Sequence, residues 1–276
     1  MVLNLGFSPC PNDTYIFDAI VNKRIDLKGY SFDVQTADVE ILNKNSFEQI
    51  LDITKLSFNA FAYVSENYQI LNSGAALGFA NGPLLVSKRK IYPDEVPYIK
   101  IAIPGKYTTA NMLLNIFWQP QKNNVHEYLF SDIEDAIQSN EVDAGLVIHE
   151  TRFTYKKRGL LKIADLGEMW EKENNLPLPL GAIAIKRNLS QNIKNDISQI
   201  IRDSIEFANK NPEASKQYIK QSAQETSEEV TKQHINLYVN KYSVDLGNDG
   251  KSAINQFYKL GNSKNVCPKV VEPIFI

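Results

Sequence analysis

The 276-residue chain is poor in the residues that carry much protein chemistry, with two cysteines, three histidines, two tryptophans and three methionines. Cys10 and Cys267 form no C-x-x-C pair and no His/Cys ligand spacing, which speaks against structural zinc and gives no basis for a disulfide. No run approaches the roughly 18 apolar residues of a membrane span. Met1 to Phe7 lacks the basic region and apolar length of a signal peptide, so a soluble, cytoplasmic protein is expected. An excess of charge is missing too. The formal charge is −2, and the lysines are scattered rather than clustered, which argues against a nucleic-acid surface and for a small-molecule partner.

What is present is a chain of ordinary globular composition, 43% hydrophobic, long enough for two lobes. Val2 to Phe7 reads as a buried strand, and Ser8 to Thr14 as a proline-stiffened turn. Either Asn12 or Asp13 is placed to cap a helix over about 15–22. A strand near 31–37, a helix near 38–49, a strand over 51–55 and a helix opening at Ser57 follow. From Ile101 the pattern is strand 101–103, helix 109–118, strand 125–130, helix 132–139 and strand 142–148. That order predicts a small parallel βαβαβ sheet, with Ser131-x-x-Glu134 as a capping box. Charged, proline-bearing 88–98 and Leu176-Pro-Leu-Pro-Leu-Gly181 read as two crossings, the second leading into a strand over 182–185. Isoleucines 193, 197, 200, 201 and 205 mark a core-facing helix. A second helix restarts at 211–213, and a third lies near 227–238. Two crossings divide the chain into a discontinuous lobe, 1–88 plus 182–276, and a middle lobe, 89–181, with a cleft between them suited to hinge closure.

Histidine scarcity makes each one worth placing. His149 closes the apolar run Ala144 to Ile148, which would deliver an imidazole to the C-terminal end of a buried strand, where open α/β sheets bind ligands. The plain alternative is a partly buried histidine satisfied by a backbone carbonyl. Nothing around His126 or His234 suggests chemistry. Three loops share the strand-end position of His149. Gly105 to Asn111 is a strand-to-helix junction whose start, Thr108-Thr109-Ala110, suits a carboxylate or phosphate, or is simply capped by Thr108. Lys55-Leu56-Ser57 repeats that arrangement, with Ser57 a cleft hydroxyl or a cap. Ser8, Asn12 and Asp13 sit in the third loop as cleft candidates, and Cys10 is either a ligand contact or a loop residue. A His-Glu-x-x-His metal helix, a Gly-x-Ser-x-Gly elbow and a P-loop are all absent, leaving a general base among neutral donors.

Ser8-Pro-Cys-Pro-Asn-Asp-Thr14, Asp52-Ile-Thr-Lys-Leu-Ser57, Gly105-Lys-Tyr-Thr-Thr-Ala110 and Val147-Ile-His-Glu150 together resemble the 1,4-dihydroxy-6-naphthoate synthases of the futalosine route to menaquinone. The resemblance covers nearly the whole chain. It implies an α/β, two-lobed fold of the type II periplasmic-binding-protein kind, with two hinge strands and a central cleft. It also implies a carbon–carbon lyase that converts cyclic dehypoxanthinyl futalosine to 1,4-dihydroxy-6-naphthoate and dihydroxyacetone without cofactor or metal. By the same resemblance His149 is the proton acceptor, Lys55, Leu56 and Ser57 form one substrate-contacting segment, and Thr109 and Ala110 the other. A homodimer is left open. The alternatives are a non-catalytic carboxylate-binding protein of this fold and the sister dehydratase of the pathway.

Overall fold

The computed structural model describes residues 1–222 and 227–276. Its strands are β1 (Val2–Phe7), β2 (Ser31–Thr36), β3 (Ile53–Ser57), β4 (Tyr68–Ile70), β5 (Ala76–Gly78), β6 (Leu84–Ser87), β7 (Ile101–Ile103), β8 (Val125–Glu127), β9 (Ala144–Val147), β10 (Leu161–Asp165) and β11 (Leu178–Lys186). The helices are α1 (Pro11–Val21), α2 (Val39–Phe47), α3 (Phe58–Val64), α4 (Thr109–Phe117), α5 (Ile133–Gln138), α6 (Thr151–Thr154), α7 (Leu166–Asn174), α8 (Gln191–Lys210), α9 (Lys216–Ser222), α10 (Glu228–Tyr238), α11 (Lys241–Val244) and α12 (Gly247–Ser263).

Two sheets organise the molecule, ordered β2-β1-β3-β11-β4 with β5 on β11, and β10-β6-β9-β7-β8. In the first, β1 is parallel to β2 and β3, and β11 runs antiparallel to β3. In the second, β7 is parallel to β8 and β9, while β6 and β10 pair antiparallel. The expected parallel strands are there, and β6, which runs opposite to its neighbours β9 and β10, makes the sheet mixed. Two sheets with helices packed on them give a two-lobed α/β architecture.

The isoleucine stripe of α8 explains the first sheet's outer face. Ile197, Ile200, Ile201 and Ile205 are buried against Leu3, Leu5 and Ile16, and Phe7 stacks on Phe17 at 4.4 Å. Each such side chain contributes about 1.5–3 kcal/mol by leaving water. A second cluster runs from Ile101 and Leu113 through Phe58 to Trp170, Phe257 and Tyr258, so apolar packing is continuous between the sheets.

Several local expectations change. The chain enters the second sheet between Gly78 and Leu84, because β6 pairs with β9 and β10, and not over 88–98. It returns between Asp165 and Leu178, so 178–181 is strand rather than crossing. Pro179 fits there because the register of β11 on β5 shifts between Pro179 and Gly181. Helix α1 begins at Pro11, the favoured first helical position for proline, instead of near residue 15. No capping box forms at α5. The Ser131 hydroxyl donates to Asp132, and the Glu134 carboxylate lies 3.8 Å from Arg158. Helix α9 starts at Lys216, after a turn, and not at 211–213.

The two passages between sheets touch each other. A Cβ on Gly82 would lie 2.3 Å from the backbone nitrogen of Gly167, and one on Gly167 would lie 2.8 Å from that of Gly82. Only two glycines allow this backbone contact. Gly82→Ala is expected to cost about 1–3 kcal/mol by overpacking, lowering Tm in calorimetry by roughly 2–4 °C per kcal/mol for a chain of this size.

Candidate functional site

An open cleft with about 700 Å³ of empty space, open solvent included, lies between the sheets. Ser8, Asn12, Asp13, Lys55, Leu56, Ser57, Thr108, Thr109, Ala110 and His149 all line it. The structure therefore brings every expected site residue to one place. The reason is topological, since β1, β3, β7 and β9 all end at this cleft.

Asp13 organises the first wall. Its Oδ2 accepts from the Ser8 backbone N–H at 3.2 Å and the Ser8 hydroxyl at 2.7 Å. Its Oδ1 accepts from Lys55 Nζ at 2.6 Å and Asn12 Nδ2 at 2.8 Å. Asp13 thus sits in the first turn of α1 and reaches back, while the capping position is Cys10, which makes no side-chain cap. Lys55 is ion-paired and only 6% exposed, so it presents no free charge. Ser57 occupies the capping position of α3 without a capping bond; its oxygen instead accepts from Asn43 Nδ2 at 3.1 Å.

The second wall is the start of α4. Thr108 caps it, accepting from the Asn111 N–H at 3.3 Å and donating to the Gly105 carbonyl at 2.8 Å. Thr109 is used differently. Its hydroxyl accepts from the Phe58 N–H at 3.1 Å and donates to the Leu180 carbonyl at 2.5 Å, joining α3, α4 and β11. What α4 offers a ligand is its first backbone N–H groups and the positive end of its dipole. Gly105 needs φ near +147°, and its missing Cβ leaves room for the Glu40 carboxylate, which accepts from the Tyr107 N–H at 3.1 Å. Burial raises the Glu40 pKa.

His149 follows β9 with φ of 55°, a left-handed conformation rare outside glycine. Its ring meets Phe130 edge-on at 4.9 Å and lies parallel to His234 with centroids 6.1 Å apart. Cys10 Sγ is 3.5 Å from Nδ1. Burial, then Glu150, push the Cys10 thiol well up, so it meets the imidazole as a neutral group.

His234 was not expected here. It is fully buried, its Nε2 lies 2.8 Å from Asn12 Oδ1, and it lines the cleft with Tyr238, Asn81 and Pro83. The signal was available, because Val230, His234 and Tyr238 are the buried positions of α10, spaced by four. A histidine in a core stripe has to be satisfied or used. Burial, His149 and Lys55 lower its pKa well below 6.5, so the folded protein resists protonating it. A lowered pKa gives stability that is full above the unfolded value and is lost as pH falls below it. Thermal melts should show wild-type stability declining below about pH 6.5 with a slope up to about 1.4 kcal/mol per pH unit, and that component absent in His234→Gln.

A family model for menaquinone biosynthesis matches residues 3–263. The chain is 38% identical over 274 residues to the 1,4-dihydroxy-6-naphthoate synthase of Thermus thermophilus, covering 99% of each protein. To the Streptomyces coelicolor enzyme of that name it is 37% identical, over 96% of this chain and 95% of that one. A crystal structure of an Archaeoglobus fulgidus protein superposes with a TM-score of 0.91 at 32% identity, covering 96% and 98% of the two chains. The alkanesulfonate-binding protein of Xanthomonas axonopodis pv. citri, bound to MOPS, gives 0.72 at 10% identity and shares the fold, with 100% and 98% coverage. The chain belongs to the menaquinone-biosynthesis family that includes the 1,4-dihydroxy-6-naphthoate synthases.

Proposed function

We propose that the protein is the carbon–carbon lyase of the cytoplasmic futalosine route, converting cyclic dehypoxanthinyl futalosine to 1,4-dihydroxy-6-naphthoate and dihydroxyacetone, with His149 as general base. The observation that carries this reading is full-length similarity to two synthases together with an imidazole at the end of β9, inside the cleft. Fold alone would not distinguish an enzyme from a ligand-binding protein.

The chemistry asks for little more than a placed base. Cleavage that ends in an aromatic ring begins with removal of a proton beside a carbonyl, and aromatisation then drives the reaction without a cofactor. His149 takes that proton on a ring nitrogen. Negative charge developing on the carbonyl oxygen falls among neutral donors. The Ser57 hydroxyl is one of them, since its oxygen is already oriented by Asn43. The substrate carboxylate rests at the start of α4, on the backbone N–H groups of Thr109 and Ala110. On the facing wall Lys55 acts through Asp13 rather than by touching substrate with a free charge. Tyr238, kept protonated by burial, lines the opposite side.

Incubating purified protein with cyclic dehypoxanthinyl futalosine should release dihydroxynaphthoate and dihydroxyacetone in equal amounts, followed by liquid chromatography with mass detection. Recovery of unchanged, bound substrate would point instead to a binding protein. His149→Ala should lower kcat by at least about a hundredfold while the protein stays folded; turnover near the wild-type rate in that variant would remove the base assignment.

A further inference from the structure

His149 stands on a segment that backbone preference alone does not hold. Its φ of 55° is left-handed, and such a conformation in a non-glycine residue persists where the surroundings over-determine it. The helix that follows, α6, has four residues, too few to be stable by itself. The Arg152 N–H donates to the His149 carbonyl at 3.3 Å and the Phe153 N–H to the Glu150 carbonyl at 2.9 Å. These bonds shape the turn but tie it to no other part of the chain.

The Arg152 side chain supplies the outside anchor. Its guanidinium, 12% exposed, donates to the Gly82 carbonyl, to the Ala80 carbonyl at 2.8 Å and to Asp165 Oδ2 at 2.7 Å. Ala80 and Gly82 belong to the passage into the second sheet, and Asp165 opens the passage out of it. Asp165 Oδ1 in turn accepts from the Gly167 N–H at 2.9 Å, and Gly167 lies against Gly82. Arg152, Asp165, Gly167 and Gly82 thus close a ring that joins both passages to the His149 turn. The register places this ring beside the base, because Leu84 pairs with Val147 on one side and Asp165 on the other, and His149 leaves the sheet just past Val147. Arg152 is not among the described residues that line the cleft, so it acts on substrate only through what it positions.

We propose that Arg152 is the positioning residue of the general base: by gripping both passages between the sheets, its guanidinium sets where the His149 imidazole stands in the cleft. The inference rests on the function proposed above, in which His149 takes the proton. Arginine suits the task because its planar fork of donors reaches several acceptors at once, whereas a lysine ammonium is a single point on a flexible stem. A base displaced by about 1 Å can lose about a hundredfold in rate, so the grip bears on turnover more than on binding.

The test reads His149 directly. Ring-nitrogen NMR of the full chain carrying labelled histidine, with the His149 signals assigned by their loss in His149→Ala, compares the wild type with Arg152→Lys, which keeps a cation beside Asp165. The His149 signals should move while those of His126, on β8, stay in place. With cyclic dehypoxanthinyl futalosine the same variant should lose at least about tenfold in kcat with KM within about threefold. Asp165→Asn frees the guanidinium from one passage and keeps an acceptor for Gly167; it should move the same signals, and it covers failure of the lysine variant to fold. A lower melting temperature with His149 signals unmoved, or loss of the fold in both variants, would make the ion pair a matter of stability and overturn the proposal. Moved signals with kcat unchanged in an active enzyme would overturn it too. Moved signals with no naphthoate formed by the wild type would keep the positioning of His149 and sink the lyase reading.

Discussion

The Asp13 carboxylate is the constraint on which the site's geometry depends. It is buried at 1% exposure and takes four hydrogen bonds, from the Ser8 backbone and hydroxyl, from Asn12 and from Lys55. A buried carboxylate is tolerable only when paired and fully hydrogen-bonded, and removal of one partner from such a pair typically costs 3–5 kcal/mol. The same bonds tie the end of β1, the start of α1 and the middle of β3 into one rigid wall. Through Asn12 they reach α10 and set the tautomer of His234. A single charge thus holds three elements of the cleft wall and one ring orientation together.

The facing wall is rigid for a different reason. Thr109 joins α4 to α3 and β11 with one hydroxyl, and Asn59 holds the Lys106 and Thr108 carbonyls from the α3 side. Polar side chains expected to reach for substrate are therefore largely engaged with the protein. Among the described residues, the start of α4 still offers backbone N–H groups, and the Ser57 hydroxyl and the His149 imidazole line the cleft. Such a surface suits a reaction that needs one base and several neutral donors, because fixed dipoles stabilise developing charge without reorganising.

Much of the candidate site was legible from local pattern. A strand followed by a polar or glycine-bearing turn recurs at Ser8, Ser57, Thr108 and His149, and parallel strands place all such ends on one side of a sheet. Roles within those motifs were less legible. Thr108 caps as its type suggests, whereas Ser57 occupies a capping position and bonds to Asn43 on another helix. The Leu-Pro-Leu-Pro segment reads as a linker because proline is rare in central strands. A register shift accommodates it within β11.

The order of residues by itself determined the alternating strands and helices, the α8 stripe and the position of His149, all of which follow from periodicity and local turn chemistry. Only the tertiary structure decided that His234 enters the cleft, that Cys10 lies against His149, and that the two passages meet at Gly82 and Gly167. Those contacts join residues separated by dozens to hundreds of positions. No local propensity encodes them; they arise when two sheets and their helices bury a continuous apolar core and bring distant loops to a common edge.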